Sequence, residues 1–209
     1  MDYRRTQIPR RFWEKTLSDY KIGRGQGSQE GLDAAAAYID TLARHRDDGT
    51  GLTFCGPPGT GKTMLACLIG QAAVDKGYKA VFMPLAKYYR LQTNLWAWKD
   101  HDDPDVAGDW LQARSMSLKI RNKTDLLLLD DVGKEHLTMT HFAEDEFDYL
   151  LRSRFDNGLP TIMTTNIPLE SWSHRHVLAR EVERYGESMA SFIHEAAPPI
   201  EMDVKDYRI

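Results

Sequence analysis

The chain has 209 residues, enough for one α/β domain with a sizeable core, with or without a short extension. Hydrophobic residues make up 42% and the net charge is −4, which excludes wholesale disorder and a polycationic molecule; any contact with nucleic acid needs a local basic patch. No apolar run approaches the roughly 18 residues of a membrane span, MDYRRTQIPRRFWEK has no signal-peptide core, and two cysteines (Cys55, Cys67) in apolar surroundings make no disulfide framework, so a reduced, cytoplasmic chain without membrane contact is expected.

Residues 1–24 are a basic and aromatic lead-in with Arg4, Arg5, Arg10, Arg11, Phe12, Trp13 and Tyr20, and Gly23–Gly31 reads as a turn or loop. Apolar residues at helical spacing (Leu32, Ala35, Ala36, Ile39, Leu42, Ala43) predict a helix over Leu32–Arg46, broken by Asp47–Thr50. Strand and helix then alternate: a strand at Leu52–Cys55, a helix at Lys62–Lys76, a strand at Lys79–Met83. Leu85–Lys123 is longer than one crossover helix needs and reads as two helices, around Leu85–Trp98 and Val106–Asn122, joined by the acidic turn His101–Asp105. Asp125–Leu129 is a continuous apolar run, as in a strand buried on both faces. A helix at His141–Asp156 stops at Asn157-Gly158, a strand follows at Thr161–Thr164, then a helix at Trp172–Tyr185 and a last strand at Ala190–His194. Repeated β-then-α order predicts an α/β fold with a parallel, three-layer sheet.

Gly56-Pro57-Pro58-Gly59-Thr60-Gly61-Lys62-Thr63 fits the phosphate-binding pattern G-x-x-x-x-G-K-[ST] without a mismatch. Phosphates require backbone N–H groups pointing inward, hence glycines where a side chain would block approach. The helix that opens at Lys62 adds its positive end. Lys62 is placed to reach the β- and γ-phosphates, and Thr63 offers a hydroxyl to Mg²⁺. With Met64 beyond it, the run Gly56 to Met64 is the expected ATP contact.

The other half of such a site is an acid at the end of a neighbouring buried strand, and Leu126-Leu127-Leu128-Leu129-Asp130-Asp131 supplies it. Asp130 would hold Mg²⁺ and Asp131 would polarise the attacking water. The strand at Thr161–Thr164 runs into Thr164-Thr165-Asn166, where Asn166 either positions that water or simply turns the chain. Arg180 and Arg184 lie four apart on one helical face. They are either solvated charges or an arginine finger for a neighbouring subunit, which requires an oligomer.

Taken in order, these motifs resemble the DnaC/IstB-like branch of the AAA+ ATPases, which includes bacterial and phage helicase loaders. The resemblance covers about Ile8 to Arg208. Ile8-Pro9-Arg10-Arg11-Phe12 through Tyr20 is similar to the opening segment that lies over the adenine; GPPGTGKT and LLLLDDVG are similar to Walker A and Walker B. Arg154 through Asn166 is similar to the helix-then-sensor-1 passage, Arg180–Arg184 to box VII with Arg184 in the finger position, and Asp206-Tyr207-Arg208 to the terminal motif. The resemblance implies an AAA+ core, 25–209, without a C-terminal helical lid, that assembles with ATP as a homo-oligomer on single-stranded DNA. In loaders the assembly opens or places a hexameric replicative helicase; in the IstB branch it serves transposition.

Three features depart from the pattern. About seven residues precede Ile8, where loaders carry a helicase-binding domain. Walker B ends in Asp-Asp rather than Asp-Glu, so hydrolysis is expected to be slow. The insertion 85–123 is long and aromatic, with Tyr88, Tyr89, Trp96, Trp98 and Trp110 among Lys87, Arg90, Lys99, Arg114, Lys119 and Arg121. Those residues either bind single-stranded DNA by stacking and charge or fill a core or interface. The first reading is a helicase-loader-like ATPase acting in DNA replication. Its rivals are a transposition ATPase acting on duplex DNA with a transposase, and an ATP-switched adaptor that barely hydrolyses.

Overall fold

The computed structural model describes residues 3–22, 27–99, 104–133, 140–167 and 186–202. Its apolar runs form five parallel strands in the order β2-β3-β4-β1-β5: β1 Leu52–Cys55, β2 Ala80–Pro84, β3 Leu126–Val132, β4 Thr161–Thr165 and β5 Pro199–Glu201. Alternate strand residues point to opposite faces. Leu127, Leu129 and Met163 therefore pack on one side with Tyr88, Phe147 and Ile193, whereas Leu126, Leu128 and Ile162 pack on the other with Tyr38, Leu65 and Ile69. Both faces are covered, so the predicted three-layer parallel sheet is the fold.

Helices α1 Gln29–Asp40, α2 Leu42–Asp48 and α3 Lys62–Asp75 precede the pair α4 Leu85–Trp98 and α5 Pro104–Leu118; α6 Thr140–Asp156 and α7 Gly186–Ala196 follow. Among the described residues no helical lid follows β5. Two expectations need correction. The first helix starts at Gln29 rather than Leu32, because Ser28 caps it by accepting a hydrogen bond from the Gly31 N–H, and it is interrupted at Thr41, whose Oγ1 donates back to the Ala37 carbonyl. Ala190–His194, expected as the last strand, lies inside α7. Met189, Ala190, Phe192, Ile193 and Ala196 are buried at helical spacing, and the last strand is the short Pro199–Glu201. The predicted helix Trp172–Tyr185 lies outside the described residues.

The insertion is a helical pair whose second helix ends in a π-helical turn, Lys119–Lys123. Arg154, fully buried, fastens this turn. Its Nη1 donates to the Ile120 carbonyl, its Nη2 to the carbonyls of Thr124 (3.2 Å) and Pro160 (2.9 Å), and its Nε to Thr161 Oγ1 (3.0 Å). Burial pushes the guanidinium down to about 9, so it is charged at neutral pH. The turn that returns from the insertion is thereby tied to the start of β4.

Candidate nucleotide site

The carboxyl ends of β1, β3 and β4 gather at one edge of the sheet, where the phosphate loop leaves β1. The loop opens at Gly56 with φ +150°, and a Cβ there would stand 2.5 Å from the Met202 carbonyl. It closes at Gly61, the N-cap of α3, with φ +83°. Left-handed residues at Gly59 and Gly61 let neighbouring N–H groups face one concavity, and the first-turn N–H groups of α3 have no partner within the helix. The Lys62 side chain is buried, and its Nζ donates to the carbonyls of Gly56 and Pro57, both at 2.7 Å. The charge is thus carried over the loop rather than out to solvent.

The acidic strand end is shaped by a β-bulge. Leu129 pairs with Met163 and Val132 with Thr165, so β3 has one residue more than β4 in between. Asp131 takes up the irregularity with φ +58°, a left-handed conformation uncommon for a residue with a Cβ. Its N–H donates to Thr164 Oγ1 (3.0 Å) instead of to the ladder, and Thr164 Oγ1 donates to Asp130 Oδ1 (2.7 Å). The same carboxylate oxygen accepts from Thr63 Oγ1 at 2.8 Å. One threonine therefore sets both aspartates, and the carboxylate faces the start of α3. A hydroxyl and a carboxylate side by side are hard oxygen donors of the kind Mg²⁺ prefers, and two protein ligands shared with phosphate oxygens suit that ion. Thr63 and Asp130 fit Mg²⁺.

The lead-in completes the cleft. Arg11 and Phe12, together with Pro58, Gly59, Gly61, Lys62, Thr63, Met64, Asp130, Asp131 and Asn166, line a cleft of about 400 Å³, a size suited to a small-molecule ligand. Gln71 Nε2 holds the Phe12 carbonyl at 2.9 Å. Tyr20 lies against the loop: its hydroxyl donates to the Thr60 carbonyl (2.8 Å) and accepts from the Ser28 N–H (3.1 Å), and a Cβ on Gly61 would meet its ring at 2.6 Å. Cys55 and Cys67 are buried free thiols; burial pushes Cys55 up to about 12 and Cys67 further, which keeps both unreactive.

The predicted residues Pro58, Gly59, Gly61, Lys62, Thr63, Met64, Asp130, Asp131 and Asn166 therefore meet around one cleft, and Gly56, Pro57 and Thr60 frame the loop behind it. Arg180 and Arg184 lie outside the described residues. Sequence reasoning missed Thr164 as the residue that sets Asp130 and Asp131, since only the bulge brings it there. In the insertion, Tyr88 is fully buried and its hydroxyl meets Arg121 (3.1 Å), which also pairs with Glu146 (3.2 Å) and lies over the Tyr149 ring. Trp110 donates its Nε1 to the Leu95 carbonyl (3.1 Å), and Lys87 donates to Gln7 (2.8 Å). Tyr88 and Arg121 are thus taken up inside the protein rather than offered to DNA, whereas Trp96 is 69% exposed.

Residues 13–181 match the sequence profile of a family described as IstB-like ATP binding protein. The chain belongs to that family. An insertion sequence IS21 putative ATP-binding protein from Pseudomonas aeruginosa is 28% identical over 173 residues, covering 81% of this chain and 58% of the relative. The chain spans about half the length of the curated relatives it matches. The solved structure of the DnaC helicase loader superposes with a TM-score of 0.68 at 24% identity, covering 93% of this chain and 100% of that one. A DnaI structure gives 0.66 at 22%, covering 97% and 95%. These likenesses establish for the IstB-like protein the P-loop α/β fold expected from its motifs.

Proposed function

We propose that this IstB-like protein is a slow, Mg²⁺-dependent ATPase that assembles as an oligomer on single-stranded DNA and acts on a hexameric replicative helicase. The observation that carries the ATPase reading is the bonded set Thr63–Asp130–Thr164–Asp131 facing the phosphate loop. Lys62 and the loop N–H groups hold the phosphates, and Thr63 and Asp130 hold the metal, which when bound neutralises charge on the β- and γ-phosphates. Asp131 orients the attacking water as an acceptor, and Asn166 stands beside it. Arg184 of a neighbouring subunit meets the transition-state charge. Arg180, four residues earlier in the sequence, assists it. Arg184→Ala spares nucleotide binding and lowers assembly-dependent turnover in this scheme.

The loader reading is supported by the span of the likeness to the structure described as the DnaC helicase loader, whose solved chain is covered in full. One finding favours a second reading: the curated sequence relatives are insertion-sequence ATP-binding proteins, which suggests action on duplex DNA with a transposase. Native mass determination separates the two. The protein is mixed with its host's replicative helicase and a slowly hydrolysed ATP analogue, alone, with single-stranded DNA and with duplex DNA. The loader reading expects a nucleotide-dependent complex of fixed stoichiometry. Self-assembly on duplex DNA with no helicase bound overturns it in favour of transposition.

A further inference from the structure

The end of the sheet opposite the nucleotide cleft carries a second concave surface. Arg5 and Thr6 of the first 3₁₀ turn (Tyr3–Thr6), Val74 and Tyr78 at the end of α3, Lys79 entering β2, and Lys119 and Lys123 of the π-helical turn enclose a cleft of about 470 Å³. Arg5, Lys79 and Lys123 are exposed and Lys119 is half-buried. Among the described residues none of these four side chains makes an ion pair or a hydrogen bond, whereas Arg44, Arg46, Arg121 and Arg152 each pair with a carboxylate. The adjoining carboxylate, Asp125, is already engaged: Oδ1 accepts from Arg46 Nε (3.2 Å) and Oδ2 from the backbone N–H of Lys79 (2.8 Å). Asp75, near Val74, accepts from the Tyr3 hydroxyl at 3.0 Å. The cluster thus keeps its positive charge on a molecule whose net charge is −4.

We propose that this cleft, lined by Arg5, Lys79, Lys119 and Lys123, holds the phosphodiester backbone of a DNA strand. The proposal deepens the DNA-acting reading above and rests on it. Three of the four cations are lysines, point charges on flexible stems that neutralise phosphates without reading bases. The four cations come from three separate parts of the chain: Arg5 from the first 3₁₀ turn, Lys79 from the entry to β2, and Lys119 and Lys123 from the π-helical turn. The half-buried Tyr78 ring offers an apolar surface for the sugar or a base. The placement differs from the aromatic face of the insertion, where Arg121 and Tyr88 are bound to Glu146. It also connects the two clefts. Arg154 ties the π-helical turn bearing Lys119 and Lys123 to the start of β4, and the other end of β4 bears Thr164, which sets Asp130 and Asp131. A strand seated on the basic cleft therefore lies on the same bonded unit as the hydrolytic edge.

The test is fluorescence anisotropy of the full chain with a labelled oligonucleotide, single-stranded and as a duplex, across a salt series with the ATP analogue present. The variants are the triple Lys79→Glu, Lys119→Glu, Lys123→Glu, the milder triple change of the same lysines to Gln, and Lys87→Glu on the exposed surface of α4. Both triples are expected to bind DNA at least roughly tenfold more weakly and to lower the slope of log K against log salt by about 2 for single strands, roughly 0.7 for each phosphate no longer neutralised. Lys87→Glu is expected to bind like wild type. Stabilisation by Mg-ATP, retained in all variants, reports that they are folded. Wild-type affinity and slope in a folded Gln triple overturn this site while leaving the DNA-acting reading intact. If the wild-type protein binds neither oligonucleotide, the DNA-acting reading falls and the site with it.

Discussion

Thr164→Val tests the reasoning about the site most sharply, because the change keeps the side-chain shape and removes one oxygen. Thr164 is 1% exposed, and its Oγ1 donates to Asp130 Oδ1 at 2.7 Å while accepting from the Asp131 N–H at 3.0 Å. A hydrogen bond to a charged group contributes about 1.5–3 kcal/mol, and an N–H left without a partner costs about 1–3 kcal/mol when water cannot reach it. Asp131 is half-buried, so part of the second cost is recovered by solvent. The expected loss is about 2–4 kcal/mol, which for a domain of this size lowers the melting temperature by roughly 5–15 °C. Loss of a residue that orients a metal ligand also lowers activity, by about 10–100-fold. The assay is thermal melting with and without Mg-ATP, followed by steady-state phosphate release. Thr164→Ser keeps the oxygen and should restore most of both. A valine variant that melts within about 1 °C of wild type and turns over ATP at the wild-type rate would refute the claim that Thr164 sets the two aspartates.

Other changes probe different links. Asp131→Asn should leave the Mg-ATP affinity within a few-fold of wild type and lower turnover by roughly 100-fold, read by calorimetry and phosphate release; equal losses in both would make Asp131 a binding residue. Tyr20→Phe removes a hydroxyl bonded to the Thr60 carbonyl and the Ser28 N–H, and should cost about 1–3 kcal/mol in stability and weaken ATP binding. Unchanged ATP affinity would show that the lead-in does not support the loop. Arg154→Met leaves the buried carbonyls of Ile120, Thr124 and Pro160 without their donor, and should destabilise by about 3–5 kcal/mol in a denaturant titration. A loss below about 1 kcal/mol would mean that these carbonyls find other partners.

Much of the fold and site was legible because the informative signals are local. GPPGTGKT and LLLLDD each hold their chemistry within consecutive residues, and a buried parallel strand announces itself as an unbroken apolar run. The failures have the opposite character. Ala-Ser-Phe-Ile-His is too short for its periodicity to separate strand from helix, and the docking of Met189, Phe192 and Ile193 on the core decides for helix. Thr164 looks like any strand threonine until a bulge in the neighbouring strand brings two aspartates to its hydroxyl. Lys119 and Arg121 look alike in sequence, yet Arg121 meets Glu146 from a distant helix while Lys119 opens onto a cleft. Nothing local in the sequence marks Arg154 as a buried clamp, since the carbonyls it serves, those of Ile120, Thr124 and Pro160, are brought to it from distant parts of the chain and from beyond the end of its own helix.

The central claim is that the Lys62–Asp131 cleft binds and hydrolyses ATP. The most direct measurement is phosphate release from Mg-ATP by the wild-type chain with DNA present, with Lys62→Ala measured alongside. The account predicts slow but measurable turnover in the wild type and background release in the variant. Wild-type release no greater than that of Lys62→Ala, with ATP binding intact, would contradict it and leave an ATP-switched adaptor in place of an ATPase.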